Sequence, residues 1–223
     1  MIEVYSICWN EEKMISFFLF HYEKFCDKII IYDNGSTDRT LEILKSHPKV
    51  EIRYLDTQDT LNDLEMMKIF NTCWKNSTAD YVIIVAIDEF VQISNSLELH
   101  EDVYSTIGYN MVALEFPKTQ EEFDSITEGV PNEFYSKPII FKPTIGEHLS
   151  IGNHQSNLKT CNSGIKLLHY CWMGIDFVLQ KNNKYSKRMS EYNIKSGAGS
   201  FRFNNLETIY EFNNAVKNKT KVK

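Results

Sequence analysis

The chain has 223 residues, of which 43% are hydrophobic and 24% are charged, and this composition excludes wholesale disorder. The formal net charge of −6 argues against a non-specific nucleic-acid binder, so no nucleic-acid partner is expected. The five cysteines have irregular spacings and no CxxC pair, which favours reduced thiols in a cytoplasmic protein over a disulfide scaffold or a zinc site. We expect no membrane span, because no apolar run approaches the ~18 residues that cross a bilayer.

Strands and helices alternate through the first half of the chain. The predicted strands are 2–8, 28–33, 50–56 and 80–87, and the predicted helices between them are 11–25, 36–47 and 62–75. Alternation of this kind predicts an α/β fold, with a mixed, mostly parallel sheet, right-handed crossovers and flanking helices. The first predicted strand follows Met1 directly, so we expect no signal peptide.

The second half has weaker periodicity. Helices are predicted at 97–107, 175–192 and 205–217, and strands at 111–116, 137–143 and 165–173. The polar stretch 117–134 predicts a loop or mobile lid, 195–202 a flexible connection, and 217–223 a basic solvated tail or a weak contact with an anionic membrane. No linker is long enough to require two domains, so we expect one domain over 1–223.

Polar clusters follow three of the predicted strands. Asn10-Glu11-Glu12 follows the first strand, Asp33 to Asp38 (DNGSTD) the second, and Asp88-Glu89 the fourth. Because ligands of α/β sheets bind beyond the carboxyl ends of the strands, these clusters predict a ligand site at one edge. DNGSTD alone is also explained as a strand–turn–helix corner. In the functional alternative, Asp33 accepts hydrogen bonds from a nucleoside and Gly35 lets the ligand approach the backbone.

Asp88 is a candidate ligand for a divalent cation. Mg²⁺ and Mn²⁺ are commonly held by one or two carboxylates together with substrate phosphates. The alternative is a strand-end acid that pairs with a lysine or a helix N-terminus. His169 ends an apolar stretch and is either a buried imidazole bonded to the backbone or a further metal or diphosphate ligand. An imidazole ligand would favour Mn²⁺ over Mg²⁺.

Three motifs together, ICWNEE, IIIYDNGSTDRT and ADYVIIVAIDEFV, resemble the nucleotide-sugar half of family 2 glycosyltransferases with the GT-A fold. They are most similar to a small branch whose acidic motif reads Asp-Ala-Asp-Glu-Phe. The later pieces KPIIFKP, GNHQ and LLHYCWMGIDFVLQK resemble the same branch, and the resemblance covers residues 1 to about 190. It implies a GT-A-like fold and a hexosyltransferase-type enzyme that moves a sugar, with inversion, from a UDP-, dTDP- or GDP-sugar. The acceptor would be a saccharide or another hydroxyl on a glycan, lipid or protein.

The resemblance also implies roles for particular residues. Asp33 matches the acid that contacts the base, Asp38 the second acid of that loop, and Asp88 the last Asp of the Asp-x-Asp motif, which binds Mn²⁺ or Mg²⁺. The first Asp of that motif falls on Ala86, a departure that puts metal affinity in question and that Glu89 is a candidate to offset. The expected nucleotide-sugar-binding residues are Asn10, Glu11, Asp33, Gly35, Asp38, Ala86, Ile87 and Asp88. The expected metal ligands are Asp88, His169 and His154.

The implied reaction also needs positive charge at the leaving diphosphate and a general base for the acceptor hydroxyl. Lys181 and Lys184 are candidates for the charge, and Asp124 and Glu115 are the preferred candidates for the base. In this interpretation residues 1–92 form the nucleotide-sugar-binding half, 93–192 the acceptor-side half, and 193–223 a C-terminal helix with its tail.

Two alternatives remain open at this point. A sugar-phosphate nucleotidyltransferase is disfavoured, because the loop after the first strand reads WNEEKM where a glycine-rich basic loop is expected. A degenerate transferase that acts only as a nucleotide- or carbohydrate-binding module is kept open by Ala86. A dinucleotide-binding domain is disfavoured because no GxGxxG follows the first strand.

Overall fold

A computed structural model describes residues 1–93 and 98–223 of the chain. The strands in these ranges are β1 Ile2–Cys8, β2 Lys28–Asp33, β3 Val50–Tyr54, β4 Tyr81–Ile84, β5 Glu89–Gln92, β6 Val103–Ala113, β7 Glu128–Pro131, β8 Ile140–Phe141, β9 Cys161–Met173 and β10 Thr220–Lys221. The helices are α1 Ile15–Tyr22, α2 Thr40–Lys45, α3 Asp63–Phe70, α4 Gln120–Ser125, α5 Ile175–Ser186, α6 Glu191–Ser196 and α7 Asn205–Asn218. None of the described helices is both long and apolar enough to cross a bilayer.

The first four strands form a parallel unit in the order β4-β1-β2-β3. Cys8 at the end of β1 is paired with Asp33 at the end of β2, so the loops that follow both strands leave the sheet side by side. Helices connect these strands, as the alternating sequence pattern predicted. The predicted fold class, a mixed sheet flanked by helices in the GT-A-like arrangement, is confirmed.

The remaining strands extend the sheet on the other side of β4. β8 lies antiparallel between β4 and β6, and β7 and β10 continue the sheet beyond β6. The long β9 runs parallel to β6, and β5 pairs antiparallel with β9 so that Glu89 faces His169 in register. This pairing brings the acidic segment after β4 next to the histidine near the end of β9.

Both faces of the parallel unit are buried, which explains its unbroken apolar runs. In β4, Ile83 packs with the cluster that contains Phe18 and Tyr22 of α1. Its neighbour Ile84 points to the opposite face, where Phe70 and Trp74 pack. A charged side chain on a strand that is buried on both faces would have no contact with water. The acids that follow β4 therefore mark where this part of the core ends.

The predicted helix 97–107 is wrong. Residue 97 lies outside the described residues, and residues 103–113 form the strand β6. The segment carries β-branched and aromatic residues that suit a pleated surface, and it pairs with β7, β8 and β9 at once. Sheet pairing over this length overrides the weak helical spacing of the local sequence.

Smaller differences concern segment lengths. The stretch 117–134 contains α4 and β7, the predicted strand 137–143 shortens to β8, and the predicted helix 175–192 divides into α5 and α6. Ser190 starts α6, because its side chain accepts a hydrogen bond from the Asn193 N–H. Helix 205–217 is confirmed as α7, and the basic tail pairs with β7 through β10.

Candidate functional site

The loops after β1 and β2 are locked to each other by Asn10. Its Oδ1 accepts hydrogen bonds from the N–H groups of Thr37 at 2.6 Å and Asp38 at 3.1 Å, and its own N–H donates to Ser36 Oγ at 2.9 Å. Asn10 adopts a φ of 52°, a conformation that asparagine tolerates better than most residues. The two loops therefore form one rigid rim at the carboxyl edge of the sheet.

The two acids of the DNGSTD loop also bind backbone. Asp33 is 1% exposed, and its Oδ2 accepts from the N–H groups of Gly35 and Ser36, each at 3.1 Å. Asp38 accepts from the Thr40 N–H at 2.9 Å and the Glu12 N–H at 3.2 Å. These bonds hold the strand–turn–helix corner that the sequence also allowed. Because both carboxylates are bonded to backbone N–H groups, a nucleoside would contact the rim that they hold in place more than the carboxylates themselves.

An open cavity of about 430 Å³ lies beside that corner. It is lined by Asp33, Asn34, Gly35, Thr37, Tyr54, Leu55, Asp56 and Asp59. Gly35 has a φ of +75°, and a Cβ placed there would meet no atom within 4 Å, so its backbone is open to a ligand. Tyr54 is 72% exposed at the end of β3 and presents an aromatic face for stacking.

Asp88 and Glu89 have opposite surroundings although they are adjacent. Glu89 is 2% exposed, with Oε1 bonded to Lys137 Nζ at 2.5 Å and Oε2 accepting from the Ala86 N–H at 3.0 Å. Its carboxylate therefore points into the protein and cannot replace the acid that is missing at Ala86. Asp88 is left as the carboxylate of this motif that faces the site.

Lys181 and His169 both contact Asp88. Lys181 Nζ donates to Asp88 Oδ2 at 2.8 Å, and His169 Nε2 lies 3.5 Å from the same oxygen. Burial by itself raises the pKa of Asp88, but Lys181 and His169 outweigh it and hold that pKa well below its usual value. Burial lowers the pKa of His169, but its interactions with Cys171 and Asp88 outweigh burial and raise it. The carboxylate is thus ionised and closely neutralised.

Helix α5 turns a row of positive charges towards the rim. Lys181 and Lys184 lie three residues apart on α5 and so share one face of the helix, and Arg188 lies two residues after the helix ends. These three residues form the α5 row. Lys184 donates to the Asn10 carbonyl, and Arg188 donates to the Asn34 carbonyl at 3.3 Å. Between α5 and the first loop lies a cavity of about 160 Å³, lined by Asn10, Glu11, Glu12, Lys13, Asp38, Phe177, Gln180, Lys181, Lys184 and Tyr185.

Three residues at this rim were not identified from the sequence: Trp9, Tyr185 and Arg188. The Arg188 guanidinium lies 3.8 Å from the centre of the Trp9 ring, and Tyr185 packs edge-on against that ring at 5.5 Å. The Tyr185 hydroxyl donates to Glu11 Oε1 at 2.6 Å. The spacing of the basic residues in 181–188 could have indicated a positively charged surface. The sequence could not show that this surface faces the rim, because that depends on where α5 packs.

The structure does not gather every predicted site residue around Asp88. His154 Nδ1 bonds to the Phe134 carbonyl at 2.6 Å, and the ring of Tyr135 stacks on His169 at 3.8 Å while contacting His154 at 5.9 Å. Asp124 lines a different cavity, with His21 and Lys223. Glu115 lies beside Lys118 and Glu122 in another. The assignment of His154, Asp124 and Glu115 to metal binding or catalysis stays a prediction.

The donor set of Asp88 and His169 fits one divalent cation shared with a ligand. Asn110 Oδ1 is 3.0 Å from His169 Nδ1, which orients the ring with Nε2 towards Asp88, as is common for metal-binding histidines. Among the residues that the structure describes, no three His, Cys, Asp or Glu side chains are arranged to hold an ion by themselves. The other positions around an ion would therefore fall to diphosphate oxygens and water. A carboxylate with an imidazole suits Mn²⁺ better than Mg²⁺.

The chain has only distant similarity to known proteins outside its family. No curated protein matches the chain. It is similar to solved structures that include the following two. One is glucosyl-3-phosphoglycerate synthase from Mycobacterium tuberculosis, in complex with Mn²⁺, UDP and glucosyl-3-phosphoglycerate, with 18% identity over 40% of this chain and 34% of that chain, at a TM-score of 0.29. The other is HddC from Yersinia pseudotuberculosis, with 12% identity over 76% of this chain and 93% of that chain, at a TM-score of 0.39.

The chain spans only about a third of the length of the synthase, 34%, and similarity at these TM-scores carries no argument about activity. The family model is the decisive comparison. The model for glycosyl transferase family 2 matches residues 4–181, a range that includes most of β1, both rim loops, Asp88, His169 and Lys181. The chain belongs to glycosyl transferase family 2.

Proposed function

We propose that this glycosyltransferase is a metal-dependent, inverting enzyme that uses a nucleotide-diphosphate sugar. The observation that carries the proposal is the pairing of Asp88 with His169 at the carboxyl edge of the sheet, beside the cations of α5. The Asp88 carboxylate, the His169 imidazole and the Lys181 ammonium group, beside the rim, would form a site for a diphosphate and its cation. Beside them, the cavity at Gly35 and Tyr54 is open to a nucleoside.

The donor would lie across the two rim loops. Its nucleoside would occupy the cavity at Asp33 and Gly35, with Tyr54 available to stack on the base, and its diphosphate would face Asp88 and Lys181. Asn10, Glu11 and Asp38 hold the rim that supports it, and Ala86 and Ile87 form the backbone that leads to Asp88. UDP, dTDP and GDP sugars, hexosyl donors among them, all match this chemistry.

Asp88 and His169 would hold Mn²⁺, or Mg²⁺, and the ion would neutralise charge on the departing nucleoside diphosphate. The acceptor hydroxyl oxygen forms a bond to the anomeric carbon from the side opposite the diphosphate. The bond between that carbon and the phosphate oxygen breaks, and its electron pair leaves with the diphosphate. A general base takes the hydroxyl proton. Asp124 and Glu115 remain our candidates for the base, and a saccharide or another hydroxyl on a glycan, lipid or protein for the acceptor.

We also propose that residues 1–223 act as one domain, with the donor side in 1–92, the acceptor side in 93–192 and a C-terminal helix and tail in 193–223. Pairing between the two halves supports this proposal. β4 of the first half pairs with β8 of the second, and Arg188 and Ser190 exchange backbone hydrogen bonds with Leu61.

Isothermal titration of UDP, dTDP and GDP, each with and without Mn²⁺, tests the proposal. We expect one nucleotide to bind with Mn²⁺, and Asp88→Ala to weaken that binding by about a hundredfold, because a charged ligand to the cation is lost. Asp102→Ala is the matched control, since Asp102 bonds to Lys142 at the surface. Failure of every nucleotide to bind would refute the donor site. Binding without turnover over a broad acceptor panel would instead support the degenerate binding module.

A further inference from the structure

Lys181 is bonded to the Asp88 carboxylate oxygen that a metal ion would bind. Its Nζ is 2.8 Å from Asp88 Oδ2, the same oxygen that lies 3.5 Å from His169 Nε2. The Lys181 side chain is 27% exposed, and a lysine is charged at neutral pH. A permanent ammonium ion therefore sits where a divalent cation would bind Asp88.

The other two cations of the α5 row are held differently. Lys184 donates to the Asn10 carbonyl, and Arg188 donates to the carbonyls of Asn34 and Asp59 and pairs with the Asp59 carboxylate. These partners lie in the loops after β1, β2 and β3 and are not candidate metal ligands. Within this row, Lys181 is the cation that is bonded to the proposed metal ligand.

The Lys181 ammonium ion has other polar and aromatic groups, and a cavity, close to its position at Asp88. Its Nζ is 3.9 Å from Glu11 Oε1 and lies 5.9 Å from the centre of the Tyr185 ring, and its side chain lines the cavity between α5 and the first loop. A lysine carries its charge on a flexible four-carbon stem. Small rotations of that stem can move the ammonium ion away from Asp88 without moving the helix.

We infer that Lys181 is a positioning residue that couples metal binding to donor binding. In the donor-free protein Lys181 neutralises Asp88, and with the donor bound it leaves Asp88 and pairs with the diphosphate. The inference rests on the proposed function, because it requires a diphosphate donor and a cation at Asp88. Mn²⁺ alone must displace an ion pair, whereas Mn²⁺ with nucleotide provides Lys181 with a new anionic partner. Each ligand therefore strengthens the binding of the other.

The inference predicts effects of opposite sign from one substitution. Lys181→Met removes the competing charge and keeps the side-chain length, so we expect Mn²⁺ alone to bind about tenfold tighter than to wild type. The same variant should bind the Mn²⁺-loaded nucleotide about tenfold more weakly, since the diphosphate loses a charged partner. If Lys181 only supported the fold, its substitution would weaken the binding of Mn²⁺ alone and of the Mn²⁺-loaded nucleotide.

The experiment is titration of Mn²⁺ alone, followed by titration of UDP, dTDP and GDP in saturating Mn²⁺, on wild type, Lys181→Met and Lys184→Met. Lys184→Met removes a charge from the same helix row without touching Asp88, so its affinity for Mn²⁺ alone should change by less than about threefold. Lys181→Gln keeps a hydrogen-bond donor to Asp88 and serves if the Met variant does not fold.

Unchanged or weaker binding of Mn²⁺ alone by both Lys181 variants would overturn the inference, and so would an equal gain in Lys184→Met. These outcomes leave the proposed function intact if wild type binds a nucleotide with Mn²⁺. If no nucleotide binds to any variant, the proposed function fails and the coupling to the donor fails with it, whatever the titration of Mn²⁺ alone shows.

Discussion

At the scale of single residues, the adjacent acids Asp88 and Glu89 show how one strand end serves two purposes. Asp88 lies in the turn before β5 and Glu89 is the first residue of that strand, and Glu89 enters the core while Asp88 faces the ligand edge. Glu89 is bonded to Lys137, and both side chains are almost fully buried, at 2% and 7% exposure. This internal ion pair fixes the backbone at Ala86 through the bond from its N–H and so positions Asp88.

We predict that Lys137→Met destabilises the fold by about 3–5 kcal/mol, because it leaves the Glu89 carboxylate buried without its counter-ion. The double variant Glu89→Gln with Lys137→Met should regain more than half of that loss, since no buried charge remains. Urea denaturation of the two variants and wild type gives the free energies of unfolding. Lys142→Met is the control, because its exposed pair with Asp102 should be worth less than about 1 kcal/mol. Equal losses of unfolding free energy in Lys137→Met and Lys142→Met would show that the buried Glu89–Lys137 pair contributes no more to stability than an exposed pair.

Residue types and their spacing singled out Asp88 and His169 at this edge, but not the partners of either residue. Asp88 was expected either to bind a cation or to pair with a lysine, and the structure shows the lysine pair with Lys181. His169 was expected either to bond to backbone or to act as a ligand, and it bonds to the side chain of Asn110. Both partners are far away in sequence, and only the pairing of β6 with β9 and the packing of α5 bring them near.

At the scale of the element, β6 is where the sequence pattern was misread. The stretch 97–107 was predicted as a helix, whereas residues 103–113 form the strand that pairs with β7, β8 and β9. Gly108 lies in the middle of it, and the backbone of the turn at 133–135 crosses directly over this position. A Cβ on Gly108 would lie 2.3 Å from the Tyr135 carbonyl carbon and 2.5 Å from the Asn132 carbonyl oxygen. The glycine permits this close approach of two backbones.

Gly108→Ala should therefore destabilise the protein by about 2–3 kcal/mol, because backbone atoms must move apart to admit the methyl group. Tyr135 stacks on His169, so the same shift should loosen the histidine and weaken binding of any Mn²⁺-dependent nucleotide. Thermal denaturation and nucleotide titration measure the two effects. Gly146→Ala, where a Cβ would meet nothing within 4 Å, should change stability by less than about 0.5 kcal/mol. Comparable effects of the two substitutions would contradict this account of β6.

At the scale of the whole molecule, the sheet order explains what could be predicted. The parallel unit β4-β1-β2-β3 follows from local alternation and from the preference for right-handed crossovers, and it appears as expected. The other half depends on β6 and β9, whose pairing joins segments about sixty residues apart. Contacts of that kind leave little trace in local periodicity, so the position of α5 and its basic row could not be placed from the sequence.

The pH dependence of global stability offers a test of how α1 packs against β5. His21 lies on α1, with Nε2 2.9 Å from the Val91 carbonyl and its ring against Phe90. Burial lowers its pKa to about 4 from an ordinary value of 6.5, and the nearby Lys24 and Lys223 act in the same direction. Between these two pH values the unfolded chain binds a proton at His21 that the folded chain does not, so stability falls as the pH drops through this window.

We expect His21 to account for a loss of roughly 2 kcal/mol between pH 7 and pH 5, because each unit of pKa shift corresponds to about 1.4 kcal/mol. His21→Gln can still donate to the Val91 carbonyl but does not titrate, so its unfolding free energy should fall less than that of wild type over the same range. Urea denaturation of both proteins at pH 7, 6 and 5 measures the difference. Parallel pH profiles would mean that His21 is as accessible to protons in the folded protein as in the unfolded chain. In that case α1 would not pack against β5 closely enough to shield His21 from water, as it does in the structure.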